Sequence, residues 1–185
     1  LRVLLRLTAF AILIIGSYTL FAAKYVPQGP KRGGAEVKEA GFDAKALRAM
    51  SPRAFANLGK SIFFGKGSCS LCHNGRGRAP LLDGVAVRAV ARIKEARYRG
   101  MARDGQGYIL ESILRPSAYV VRGYGVPDGR GGTVSPMPLV MGPEIGLTGL
   151  EVKAVAAYLQ SLSGQEITVT PETTLDYAGK KNLHE

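Results

Sequence analysis

Two thiols and an imidazole lie within five consecutive residues of this chain, Cys69-Ser70-Leu71-Cys72-His73. Thiols three positions apart with a His adjoining the second form the attachment signature of a c-type haem. Each thiol can add across one vinyl group of the porphyrin, and the adjacent His reaches the iron from the same side. The expected cofactor is therefore one covalently bound haem c, with Cys69, Cys72 and His73 as its attachment residues. A thioredoxin-like dithiol wants a preceding strand and a βαβ setting, whereas Gly65-Lys66-Gly67-Ser68 offers a loop. A zinc site needs two further Cys or His ligands, and the chain holds no other Cys and one other His, His184. With both Cys consumed by the haem, no disulfide is left to staple the fold.

A haem iron held by one His needs its other axial position explained. A thioether raises the potential, whereas an open site admits a substrate or gas. The Met residues are Met50, Met101, Met137 and Met141. Met137 lies in Ser135-Pro136-Met137-Pro138, a loop stiffened by two Pro, where it cannot serve a helical core. It is the expected sixth ligand, with Met141 its rival and Met101 beside Gly100 a more distant one. Met50 precedes the motif on a predicted helix and suits packing.

The elements that position these groups are legible in part. Ser51-Pro52 is an N-cap followed by Pro at the first helical position. The helix it opens places Phe55, Leu58, Ile62 and Phe63 on one side and includes Gly59, which marks a close helix contact. Ala79-Pro80-Leu81-Leu82 is the first apolar stretch after the motif able to cover the haem. Val85 to Arg103 is helical in propensity and carries Arg88, Arg92, Lys94, Arg97, Arg99 and Arg103 against one acid, Glu95. Such a run suits a solvated helix face, a docking surface or neighbours of the haem propionates. Tyr108 to Leu114 reads as a short helix stopped by Pro116, Ser117 to Tyr124 as extended, and Gly123 to Gly132 as an exposed loop. Thr148-Gly149-Leu150-Glu151 is a capping box that opens a last helix with Val155, Tyr158, Leu159 and Leu162 on its apolar side. The expected divisions are an anchor over 1–26, a Pro- and Gly-bearing linker over 27–41 with a helical turn from Ala44 to Met50 just after it, a domain over 42–164 and an extended tail over 165–185.

Arg2 and Arg6 precede Leu7 to Ala23, a stretch without charge. At about 1.5 Å per residue it makes roughly 25 Å of helix, and its flanks extend this to about a bilayer core. A signal peptide begins in the same way, but Phe21-Ala22-Ala23 only approximates a cleavage site, so an uncleaved transmembrane anchor is expected. Covalent haem attachment takes place outside the cytoplasmic membrane. The expected location is thus a single pass through the cytoplasmic (inner) membrane, with the haem domain on its periplasmic or outer face. The formal charge of +11 implies an anionic membrane surface or a partner with an acidic docking surface. Nucleic acid is not an expected partner, because no basic motif interleaved with aromatics appears.

Taken together, Gly59 and Phe63 before Cys69-Ser70-Leu71-Cys72-His73, then Pro80 with Leu81, Met137-Pro138, and a last helix bearing Tyr158 and Leu159 resemble the single-haem bacterial class I cytochromes c in membrane-anchored form. The likeness spans roughly residues 51 to 164. It implies an all-α fold of helices around one haem, with an N-terminal transmembrane helix outside the likeness. It implies that Gly59 and Phe63 cross Val155 and Tyr158, and that the Pro80 carbonyl accepts from the His73 imidazole. It also implies that His73 and Met137 are the two iron ligands. The segment from Val85 to Gly132 is longer and more basic than a minimal member of that family needs.

The expected function is one-electron transfer between membrane redox partners, as a subunit of a respiratory or photosynthetic complex. The chain would itself be a carrier and not an enzyme. The alternatives are a tethered shuttle between complexes and a haem enzyme subunit with an open sixth position, which would want an acid-base residue beside the iron.

Overall fold

The computed structural model describes residues 2–25, 46, 47 and 49–176. It divides the chain into two units, Leu1–Phe42 and Asp43–Glu185. The linker expected over 27–41, residues 44, 45 and 48 of the turn expected from Ala44 to Met50, the tail beyond 176 and His184 lie outside the described residues.

In the first unit, helix α1 runs over Arg2–Tyr25. Its segment Arg2–Phe21 is long and apolar enough to span a membrane, since 20 residues rise about 30 Å. Three hydroxyls within it bond back to carbonyls of the preceding turn: Thr8 to Leu5, Ser17 to Ile14 and Thr19 to Gly16, each at 2.9 Å. These three hydroxyls are thereby satisfied within the helix, as a hydrocarbon environment demands.

The second unit is mostly helical. Helix α2 (Pro52–Phe64) starts where Ser51 accepts from the Ala54 amide, and it buries Phe55, Ala56, Gly59, Ile62 and Phe63. Helix α3 covers Val85–Arg92 and α4 covers Gly105–Leu114. Helix α5 (Gly149–Ser161) opens on the full Thr148–Glu151 capping box. The principal packing is α2 across α5, and α4 packs on both α3 and α5. Gly59 sits at the α2–α5 crossing, where an added Cβ would lie 1.8 Å from the Ala154 carbonyl oxygen. Beside it the Phe63 and Tyr158 rings meet edge to face at 5.4 Å. Glu151 also binds Lys66 just past α2, at 2.8 Å. Burial pushes the Glu151 carboxyl up, but the bonds from Lys66 and Thr148 outweigh it and hold the group below its ordinary range.

Three stretches differ from expectation. The basic run is not one helix: α3 ends at Arg92 and turns follow. Farther along the run, Glu111, buried on α4, holds residues 98–102 in a turn, accepting from the Met101 amide at 2.8 Å, from the Ala102 amide and from the Tyr98 hydroxyl. Gly100 allows this approach, because a Cβ there would stand 2.1 Å from a Glu111 carboxylate oxygen. Ser117 to Tyr124 forms turns and is not extended. The strands lie instead inside and just after the stretch read as loop, β1 (Val126–Pro127) pairing antiparallel with β2 (Thr133–Val134). Finally, residues 165–176 contain no helix or strand, yet they belong to the core: Val169 is fully buried. The buried Gln160 side chain accepts from the Thr168 and Val169 amides, each at 3.0 Å, and donates to the Thr168 hydroxyl.

Candidate functional site

The site begins where α2 stops. The Gly65 amide returns to Ser61 and the Gly67 amide to Ile62, which turns the chain out of the helix. A Cβ on Gly67 would lie 3.2 Å from the Cys69 sulfur, so the chain passes close to the first thiol. Ser68 takes a left-handed conformation, φ 50°, and one turn of 3-10 helix follows over Cys69–Leu71. In it the Cys72 and His73 amides both donate to the Cys69 carbonyl. This single tight turn brings Cys69, Cys72 and His73 to the wall of one cavity. Both cysteines are free thiols; Cys69 is half-buried and Cys72 exposed. Burial pushes the Cys69 thiol up, the hydrogen bond at its backbone lowers it, and the neighbouring Cys72 raises it, with a net upward shift.

The His73 imidazole donates from Nδ1 to the Pro80 carbonyl at 2.7 Å. A carbonyl only accepts, so Nδ1 carries the proton and Nε2 is the nitrogen left for a metal. Arg88 steadies this covering stretch by donating to the Leu81 carbonyl at 2.6 Å and to the Asp83 carbonyl. Asn74 closes the other side, donating to the Leu71 carbonyl and accepting from the Arg76 amide, each at 3.0 Å.

The cavity is about 520 Å³, within the size of cofactor clefts. Its walls are mainly apolar and aromatic, with Phe63, Leu82, Ile109, Val140, Val155 and Leu159 among them. Pro136, Met137 and Pro138 also line it. Met137 is half-buried, whereas Met141 and Met101 are each 45% exposed and do not line the cavity. Met50 packs against the core instead. All five residues expected at the site, Cys69, Cys72, His73, Pro80 and Met137, therefore line one chamber.

Of the guanidiniums in the wall, Arg92 belongs to the basic run that suits neighbours of the haem propionates, whereas sequence reasoning did not single out Arg78. Arg78 and Arg92 line the cavity, and among the described residues no Asp or Glu does. Arg92 lies 5.8 Å from the Tyr108 ring centroid, its Nη1 3.4 Å from the Tyr108 hydroxyl. The other arginines of the basic run mostly tie loops: Arg97 donates to Val120, Glu95 and the Tyr119 hydroxyl, and Arg99 to Ala96. Tyr119, also in the wall, is pushed up to about 12, first by burial and then by its bond to Glu95, so it presents a protonated phenol.

A c-type haem fits this donor set. Two free thiols and an imidazole leave one turn together, the imidazole is oriented by a carbonyl, and a thioether shares their apolar chamber. Two cations without a lining carboxylate suit a flat apolar ligand with an anionic edge. Among the described residues no three His, Cys, Asp or Glu side chains gather to hold a bare metal ion. A scan against protein-family models and a search of curated proteins find no match to this chain.

Proposed function

We propose that this chain is a membrane-anchored cytochrome c of the class I type, which passes single electrons between membrane redox partners as a subunit of a respiratory or photosynthetic complex. The observation that carries the reading is the shared cavity of Cys69, Cys72, His73, Pro80 and Met137. The α2–α5 crossing at Gly59, beside the Phe63–Tyr158 contact, supports the class I fold. The apolar α1 supports a membrane anchor, with the haem domain on the outer face of the cytoplasmic membrane.

In this reading each thiol S–H adds across one vinyl C=C, sulfur to one carbon and hydrogen to the other, which leaves two thioether links at Cys69 and Cys72. When bound, the haem supplies the ferric/ferrous couple. His73 binds the iron through Nε2 and Met137 through its sulfur, while Pro80 fixes the imidazole plane. Arg78 and Arg92 neutralise the propionates at the edge of the chamber. The mainly apolar wall would limit water around the iron.

The test is direct. Haem is expected to stay with the denatured polypeptide, and to be lost from Cys69→Ala/Cys72→Ala. Met137→Ala abolishes the thioether-to-ferric-iron absorption band, while Met141→Ala preserves it. Haem that extracts freely from the wild type, or a wild type lacking the band, defeats the reading.

A further inference from the structure

We infer that Ser117 and Ser135 form a latch that holds the Met137 thioether at the iron, and that the latch keeps the sixth coordination position closed to small exogenous ligands. The inference rests on the haem reading above. Pro136 and Pro138 have no amide hydrogen, so Met137 supplies the one backbone donor of that tripeptide. That donor goes to the Ser135 hydroxyl at 3.2 Å, and the Ser135 amide goes to the Ser117 hydroxyl at 3.1 Å. Every backbone donor from 135 to 138 thus ends on a serine oxygen.

The chain of two bonds joins opposite ends of a long excursion. Ser117 follows Pro116, which lines the cavity just past α4, while Ser135 precedes the Met-bearing wall. Between them the chain leaves for the β1–β2 hairpin, whose residues 125–133 are exposed. The prolines restrict the shape of the loop around Met137, but they do not fix its distance from the motif. The serine bonds do, by tying the loop to the end of α4. Ser117 and Ser135 are positioning residues: neither binds the iron, and each acts through the backbone of Met137.

The experiment uses the haem-loaded full chain in detergent and titrates the ferric protein with imidazole. Ser117→Ala and Ser135→Ala are each expected to raise imidazole affinity roughly three- to tenfold, the worth of one net hydrogen bond, and to weaken the thioether band. Because the bonds act in series, the double variant should gain no more than the larger single. Ser135→Thr, which keeps the hydroxyl, should restore wild-type affinity. Wild-type affinity in both alanine variants overturns the latch, as does a lowered unfolding midpoint with unchanged affinity. Multiplicative effects in the double variant overturn the series arrangement. All of these presuppose a wild type with covalent haem and the thioether band; their absence defeats the haem reading itself.

Discussion

The His73 ring donates from Nδ1 to the carbonyl oxygen of Pro80, seven positions on, across 2.7 Å, closing the loop that follows the Cys-x-x-Cys turn. A bond of this kind raises the donor strength of the imidazole, which favours ferric over ferrous iron. Pro80→Ala keeps the carbonyl but frees the φ angle that aims it. The reduction potential of the haem-loaded variant is expected to rise by on the order of 40 mV, if about 1 kcal/mol of orientation is lost. Protein-film voltammetry measures it, and an unchanged or lower potential contradicts this role for the bond.

Gly59→Ala should reverse the sign that helix propensity gives. Ala gains about 1 kcal/mol over Gly in an open helix. Here the new methyl would meet the Ala154 carbonyl oxygen at 1.8 Å and the Val155 amide nitrogen at 2.9 Å, both backbone atoms unable to rotate away. The net cost is expected to be about 2–3 kcal/mol or more, read from urea unfolding.

Glu151→Gln isolates the charge of the Lys66–Glu151 bridge, because Gln at this position still completes the capping box. The folded carboxyl sits below its ordinary value of 4.5, so its contribution is fully present above that value and is lost as the pH falls through the folded one. The variant should be about 0.5–1 kcal/mol less stable at pH 7, a modest figure because Lys66 is half exposed. The gap should close as the pH falls through the lowered folded value of the carboxyl, below 4.5. Unfolding curves at several pH values check both the size and the direction.

Gln160→Ala removes the acceptor for the Thr168 and Val169 amides and the donor to the Thr168 hydroxyl. At least one amide near fully buried Val169 is then left without its partner. A loss of about 2 kcal/mol or more is expected, together with faster proteolysis within 165–176.

What the sequence disclosed was local chemistry. Ser51-Pro52 and the Thr148–Glu151 pair announce α2 and α5 because caps act within four residues, and the Cys-x-x-Cys-His run announces itself for the same reason. The misread stretches were decided by partners far along the chain. Nothing within the basic run signals that a buried Glu111 ten residues past Met101 will gather residues 98–102 into a turn. Asp104, the cap that starts α4 earlier than expected, was legible but hidden among glycines of low helix propensity. Ser117 and Ser135 lie 18 residues apart and carry no shared pattern at all. The chamber gathers Met137 through tertiary packing, and only its proline flanks hinted at that.

The burial of Val169 has a bearing on how the protein is made. Synthesis delivers the chain from its N-terminal side, so the Cys69–Cys72 turn emerges while Pro136–Pro138, α5 and the Gln160–Val169 clasp are still to come. Until they arrive the chamber lacks the wall formed by Pro136–Pro138, Val155 and Leu159. Under the proposed haem reading, the nascent chain would have an interval in which both thiols face an open groove that a bulky porphyrin can enter. Burial of Val169 against Gln160 of α5 comes last, and under the proposed reading the order of the residues along the chain is a timetable for maturation.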